Sequence, residues 1–257
     1  MASGYGTSQR KWYSFDFELE GRVPLSATWM GVIPQGGGEV MTLLDFARGP
    51  ALQWSLLIFV VGVTWRLLAI LLLARRRDHS TPRRTASPWG GVRTVFTRMW
   101  PHRDFFAATS FQLLMGYVFH IGLAITVLAF VPHVRFLEGL TGLSWTGLPP
   151  NVVALAAGAA TLALLVLIGR RFTHPVLRAI SDWDDYLSSL ITLALLVTGL
   201  MAYLHIGPRY ETMLAIHILS LDLLLIWFPF GKLMHAFFFI PARIMEGAAF
   251  ERKGVRA

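Results

Sequence analysis

The sequence predicts an all-α integral membrane protein built as a bundle of five transmembrane helices. The mean hydropathy is +0.54, and 54% of the 257 residues are apolar, which is more than an ordinary soluble domain contains. Long apolar stretches can cross a bilayer, and backbone groups in lipid must be satisfied by helical hydrogen bonds. The predicted helices cover residues 51–74, 105–131, 151–169, 187–206 and 213–240.

The distribution of positive charge predicts the orientation of the bundle. The two opposite connections contain only Arg135 and Arg209, whereas the connections 75–104 and 170–186 and the C-terminal tail are rich in arginine. By the positive-inside rule, the N-terminus lies outside and the C-terminus in the cytoplasm, as in a bacterial cytoplasmic (inner) membrane. The net charge of +8 therefore indicates topology and contact with membrane lipid, and we expect no nucleic-acid partner.

Residues 1–40 differ from the rest of the chain because they contain no continuous apolar run. We interpret them as an N-terminal extension, and residues 41–257 as the transmembrane domain. Gly36, Gly37, Gly38 and Glu39 precede Met41, and their codons are purine-rich, as in a ribosome-binding site. One hypothesis is that Met41 is the natural start; the alternative is a genuine extension that is flexible or lies on the surface.

The first four predicted helices carry few polar groups. Helix one contains Arg66 in its inner half, where a charge must snorkel, pair or face the bundle interior. Helix two contains His120 and ends at Pro132, because proline interrupts the helical hydrogen bonds. Helix three is rich in alanine and suits close packing, and helix four ends at His205 before the turn Gly207-Pro208.

The fifth predicted helix contains two histidines, His217 and His235, separated by 18 residues. This spacing is five helical turns, so both imidazoles would leave one face about 27 Å apart along the axis. That length is about the thickness of the bilayer hydrocarbon core. The spacing favours two haems stacked across the membrane. The absence of cysteine excludes cysteine-ligated iron–sulfur clusters and covalently attached haem in this chain.

Bis-histidine ligation requires imidazoles from two helices at similar depth. His120 and His235 are the expected pair for an inner haem. His217 requires a partner at the outer side, and both His133 and His205 are candidates. Arg66 would either meet a haem propionate or snorkel to the inner surface. The remaining histidines are expected to be solvated or interfacial: His79, His102 and His174.

Several segments resemble a known family. Phe119-His120-Ile121-Gly122, together with His217 and the segment 227–235, resembles the gamma subunit of respiratory nitrate reductase. The segments 43–50 and 250–254 are most similar to a branch of that family. Its members are the membrane cytochrome b subunits attached to dissimilatory sulfite reductase and heterodisulfide-reductase-like complexes. The resemblance extends over residues 41–255.

The resemblance implies two b haems, with His120 and His235 on the inner haem and His217 on the outer one. The family's fourth ligand falls at Phe130 here, which cannot bind iron. We favour His133 as its replacement, with His205 or loss of the outer haem as alternatives. The resemblance also implies electron transfer between a quinone, menaquinone or ubiquinone, and a cytoplasmic iron–sulfur oxidoreductase subunit. The chain would then be the electron-transfer subunit of a quinol:acceptor oxidoreductase.

Other classes of protein share part of this pattern. A haem-free membrane anchor would use the histidines only for packing, and a single-haem reductase of the cytochrome b561 type would use one pair. A small transporter should contain broken helices or paired intramembrane charges. Only Asp222 and Arg66 offer such charges, so the pattern favours a cytochrome.

Overall fold

The computed structural model describes residues 41–72, 81–83, 88–101 and 103–255. Within these ranges the regular elements are helices, and no strand is present. The predicted extension 1–40, His79 and His102 lie outside the described residues. Six of the described helical segments, rather than five, are long and apolar enough to cross a membrane: Leu43–Ile70, Arg103–Ala129, Pro150–Thr173, Trp183–Leu204, Tyr210–Trp227 and Lys232–Arg252. The all-helical, multi-pass character of the chain is therefore confirmed.

The helices are numbered in chain order within the described part of the sequence. They are α1 (Leu43–Phe46), α2 (Leu52–Leu72), α3 (Pro88–Thr97), α4 (Phe106–Ala129), α5 (Val131–Thr141), α6 (Pro150–Thr173), α7 (Pro175–Ile180), α8 (Trp183–Leu204), α9 (Tyr210–Trp227) and α10 (His235–Arg252). A π-helical turn, Ala47–Ala51, joins α1 to α2, and 3₁₀ turns at Arg103–Phe105 and Lys232–Met234 precede α4 and α10.

The first and fourth spans begin earlier than predicted because polar residues cap them. Thr42 and Asp45 form a capping box at α1, and Asp182 and Asp185 form another at α8. Each box satisfies backbone N–H groups that would otherwise lack partners at a helix start. Pro50 lies within the π-helical turn, where its missing N–H removes one helical hydrogen bond.

The prediction of one continuous helix over 213–240 is wrong. α9 ends at Trp227, the chain turns through residues 228–231, and α10 begins at His235. Pro229 has no N–H to donate and its ring clashes with the preceding turn, while Gly231 lowers helical propensity further. His217 and His235 therefore lie on two different helices, and the five-turn geometry does not apply.

The turn between α9 and α10 is tightly packed. Pro229 is among the largest fully buried side chains. An added Cβ at Gly62 of α2 would lie 2.6 Å from Pro229 Cβ, so only glycine allows this approach. The turn between α9 and α10 is therefore fixed by its packing against α2.

The basic connection 75–104 contains a helix that the sequence analysis treated as a loop. α3 packs against α10, and small residues make the approach possible. Thr94 is 1% exposed, and a Cβ on Gly247 would clash with its side chain. A Cβ on Gly91 would lie 2.7 Å from the carbonyl oxygen of Ile244. Residues 90–94 and 244–247 therefore form one close helix contact.

The spans pack as a chain of neighbours. α4 packs on α6, α6 on α8, α8 on α9, and α9 on α2. Ala160, Leu164 and Leu196 form a buried cluster between α6 and α8, against which Phe119 of α4 packs. Backbone contact between α4 and either α9 or α10 is sparse in the described part of the chain. This leaves room for side chains between them.

We predict that Gly62→Ala destabilises the protein by about 1–3 kcal/mol, as overpacking of a rigid contact commonly does. The new methyl group would meet the proline ring at 2.6 Å. The midpoint of thermal unfolding in detergent, followed by circular dichroism, measures the change. Gly158→Ala is the matched control, since nothing lies within 4 Å of a Cβ there. Equal midpoints for the two variants would contradict the packing described for Pro229.

Candidate functional site: two histidine pairs

The structure brings four of the predicted histidines together in two pairs. His120 of α4 and His235 of α10 have ring centres 6.0 Å apart, with planes inclined by 84°. His133 of α5 and His217 of α9 have ring centres 6.2 Å apart, with planes inclined by 22°. Each pair joins two helices that have few backbone contacts with one another.

These separations are those required for one metal ion between two imidazoles. A ligating imidazole nitrogen lies about 2 Å from its metal, so the ring centres of two opposed ligands lie roughly 6 Å apart. Both pairs therefore fit a bridging metal centre. Rings that pack directly on one another have centres about 4.5–7 Å apart, a range that also includes both pairs.

Backbone carbonyls hold the Nδ1 atom of three of these imidazoles. His120 Nδ1 lies 2.7 Å from the carbonyl oxygen of Gly116, one turn earlier in α4. His235 Nδ1 lies 2.8 Å from that of Lys232, and His133 Nδ1 lies 2.8 Å from that of Thr126. A carbonyl only accepts, so each Nδ1 carries the proton.

The Nδ1 atom of His217 is bonded to a side chain instead of a backbone carbonyl. Its Nδ1 lies 3.2 Å from Thr198 Oγ1 of α8. Thr198 Oγ1 donates its proton to the carbonyl oxygen of Ala194 at 2.8 Å, so the hydroxyl accepts from Nδ1. Gly199 makes room for the imidazole, since a Cβ there would lie 2.9 Å from His217 Cε1.

In a neutral imidazole whose Nδ1 carries the proton, the Nε2 atom has a free lone pair. Metal-binding histidines usually show this pattern, with one nitrogen bonded to an acceptor and the other free for the metal. Burial lowers the pKa of His133, which favours the neutral imidazole that ligates metals. The tautomers and the pair distances thus indicate the same chemistry.

The described residues contain no group of three or more His, Cys, Asp or Glu side chains that could hold a bare metal ion. Protein-held transition metals usually need at least three such ligands. Two imidazoles suffice when a planar macrocycle supplies the remaining ligands, as in haem.

An open cavity of about 470 Å³ adjoins the pair formed by His120 and His235. Its lining includes Arg66, Asp184, Phe230 and His235. Arg66 forms no ion pair with another described residue. An unpaired guanidinium beside an imidazole and an aromatic wall suits a ligand that is apolar with carboxylate groups.

Lys232 connects the start of α8 to His235. Its backbone N–H donates to Asp184 Oδ2 at 2.9 Å, and its carbonyl accepts from His235 Nδ1 at 2.8 Å. Its ammonium group pairs with Asp185 at 2.6 Å and with Asp182 at 2.9 Å. The aspartates of α8 thereby fix the residue that orients the His235 imidazole.

His205 is not part of either pair. It ends α8 in the left-handed conformation, with φ of 56°. Its ring lies against Tyr210, with centres 5.2 Å apart. Between the two candidates for the partner of His217, the structure therefore brings only His133 close. His174, at the end of α6, is exposed, in line with its expected position at the surface.

The break between α4 and α5 explains the position of His133. Phe130 has extended backbone, with φ of −77° and ψ of 121°, and Pro132 follows at the start of α5. The change of direction folds His133 back toward Thr126. If α4 continued without the break, residue 130 rather than residue 133 would lie at this position.

Sequence reasoning missed Thr198 and Gly199, although a signal for both existed. α8 and α9 are antiparallel neighbours joined by the turn at Gly207-Pro208. Thr198 and His217 lie at nearly equal distances from this turn along the sequence. Residues placed symmetrically about a helical hairpin face each other, so the turn predicts their contact.

A protein of Nitratidesulfovibrio vulgaris (strain Hildenborough) is 30% identical to this chain over 208 residues. The match covers 77% of this chain and 89% of that protein. The relative's name, "Protein", states no ligand or activity. No protein-family model matches the chain, and no solved structure matches it. The likeness is thus to nearly the whole of one bacterial protein.

We predict that Asp184→Ala loosens the segment that orients His235. Amide hydrogen exchange of residues 228–235, followed by mass spectrometry, should accelerate about tenfold or more, since a hydrogen bond to a charged group contributes about 1.5–3 kcal/mol. Ser189→Ala is the control, because its hydroxyl donates to the carbonyl of Asp185 and does not contact Lys232. Unchanged exchange in Asp184→Ala would refute the role given to this carboxylate.

Proposed function

This chain belongs to the same family as the Nitratidesulfovibrio vulgaris protein, and we propose that it is a membrane-anchoring b-type cytochrome. It transfers electrons between a membrane quinone and a cytoplasmic iron–sulfur oxidoreductase partner. The observation that carries the proposal is the presence of two imidazole pairs at 6.0 and 6.2 Å. All four imidazoles have Nδ1 engaged and Nε2 free.

In this proposal His120 and His235 hold the inner haem, and His133 and His217 hold the outer one. When bound, haem supplies reversible one-electron transfer. The chain's own residues would bind and orient it: the imidazoles would supply Nε2, and the guanidinium of Arg66 would pair with a carboxylate of the inner haem. Gly116 supports this reading, because nothing lies within 4 Å of a Cβ at that position, which leaves open space one turn from His120.

Groups beside the outer pair support a quinone site on that side. The rings of Phe130 and His133 lie 5.1 Å apart, and those of Phe130 and Tyr203 6.1 Å apart. Tyr203 donates a hydrogen bond to Asn151 at 3.1 Å. An aromatic wall with a phenol and an amide suits a planar ligand that carries carbonyl oxygens.

The arginine-rich side of the bundle is the side on which we expect the partner to dock. Arg93 of α3 and Arg178 of α7 are exposed, and the rest of the connection 75–104 adds further arginines. An acidic patch on the partner would match this surface. Electrons would then leave or enter through the inner pair.

In the proposed arrangement the chain crosses the membrane five times, through α2, α4, α6, α8 and α9. Helix α10 then lies on the inner face. α10 packs on α3, and α3 belongs to the arginine-rich connection. Arg243 and Glu246 pair within α10 at 3.7 Å, and both charges would be costly in the bilayer centre. With five crossings, the C-terminus lies in the cytoplasm and the N-terminus outside.

Haem stoichiometry tests the proposal. Wild-type protein should contain two b haems per polypeptide by the pyridine haemochrome assay. His120→Ala and His235→Ala should each lose one haem, and His133→Ala and His217→Ala should each lose the other, because each haem would need both imidazoles of its pair. The EPR signals of the two centres should differ, since the ligand planes are inclined by 84° in one pair and 22° in the other.

His205→Ala is the matched control and should retain both haems, because its ring lies against Tyr210 and away from either pair. A colourless wild-type preparation from cells with ample haem would support a haem-free anchor. One haem per polypeptide, unaffected by His133→Ala, would support the single-haem alternative.

Cysteine labelling tests the topology, since the chain contains no native cysteine. Ser144→Cys, between α5 and α6, should react with an impermeant maleimide in intact cells, because the five-crossing arrangement places it outside. Val255→Cys should react only after permeabilisation. Labelling of Val255→Cys in intact cells would mean that α10 crosses the membrane and would overturn the five-crossing arrangement.

A further inference from the structure

Asp222 is a buried carboxyl group in the middle of α9, and neither histidine pair uses it. The residue is 4% exposed, and its neighbour Ser55 of α2 is 0% exposed. Asp222 Oδ2 has no hydrogen-bond partner within the described residues. None of the ion pairs between described residues includes Asp222. A carboxylate in such a position would be strongly destabilised, because burial removes it from bulk solvent and no described cation forms an ion pair with it.

The contacts of Ser55 determine where a proton is needed. Ser55 Oγ lies 2.9 Å from the carbonyl oxygen of Leu52 and 2.8 Å from Asp222 Oδ1. A serine hydroxyl has one proton and cannot donate fully to both oxygens. A carbonyl cannot donate, so a second proton must come from the carboxyl group if both contacts are to be hydrogen bonds.

We infer that Asp222 is an intramembrane proton-binding site that remains occupied at neutral pH. The carboxyl O–H donates to Ser55 Oγ, and the Ser55 hydroxyl donates to the carbonyl of Leu52. This arrangement uses every proton once and leaves no charge buried. The basic side chains on the elements packed against α9 are Arg48 of the π-helical turn and Arg66 of α2, and neither forms an ion pair with Asp222. The inference does not depend on haem.

Infrared spectroscopy of the full-length protein tests this site. Protein labelled with ¹³C-aspartate and held at neutral pH should show a C=O stretching band of a protonated aspartic acid. The band should shift in D₂O and be absent from Asp222→Asn. It should remain in Asp45→Asn, the matched control, because Asp45 lies exposed at the start of α1.

The Ser55→Ala variant distinguishes a carboxyl group that is hydrogen-bonded to Ser55 from one that is only buried. The band should persist in this variant but move to higher frequency, because the acid loses the hydroxyl to which it donates. A band that does not move would contradict the hydrogen bond between Ser55 and the protonated carboxyl group. A wild-type protein without the band, or an Asp222→Asn variant that retains it, would overturn the site. Either result is independent of the haem count.

Discussion

The inability of Pro229 to donate a backbone hydrogen bond is the constraint on which the inner half of the site depends. The hydropathy of the C-terminal segment alone would allow one long helix. Proline ends α9, and the chain restarts as α10 with His235 as its first residue. That restart lets the imidazole reach His120 on a helix with which α10 has little backbone contact. If α9 continued as a straight helix, its direction alone would determine the position of His235.

The restart must be held in place, and polar groups at the start of α8 provide the support. Asp184 and Asp185 fix the backbone and the ammonium group of Lys232, and the Lys232 carbonyl fixes His235. On the other side, the glycine at position 62 allows α2 to contact the buried proline. The position of the His235 imidazole therefore depends on the turn at Pro229, on the aspartates at the start of α8 and on the contact between α2 and that turn.

Much of the fold could be predicted because lipid imposes a simple rule on the backbone. Long apolar stretches must be helical, and four of the five predicted spans correspond to single helices. Sorting the histidines by depth also agrees with the ring positions of His120 beside His235 and of His133 beside His217. Ligation of iron by these rings stays a prediction, as do the quinone and the partner.

The features that the sequence analysis missed depend on short-range backbone chemistry or on contacts between distant segments. Hydropathy counts side chains, so Pro229 and Gly231 had little weight within an apolar run. The packing of α3 on α10 depends on Gly91, Thr94 and Gly247, which have no apolar periodicity. Such contacts become visible only when two helices are already in place.

The hydrogen bonds at Nδ1 also have a consequence for how the two centres could diverge between relatives. Three of the four imidazoles are oriented by main-chain oxygens, which no side-chain replacement removes. His217 is oriented by the hydroxyl of Thr198. Valine or alanine at that one position would remove this hydrogen-bond partner while leaving those of the other three imidazoles untouched. Under the proposed function, a substitution at position 198 would therefore change the redox potential of the haem held by His133 and His217 without touching the ligands of the other haem.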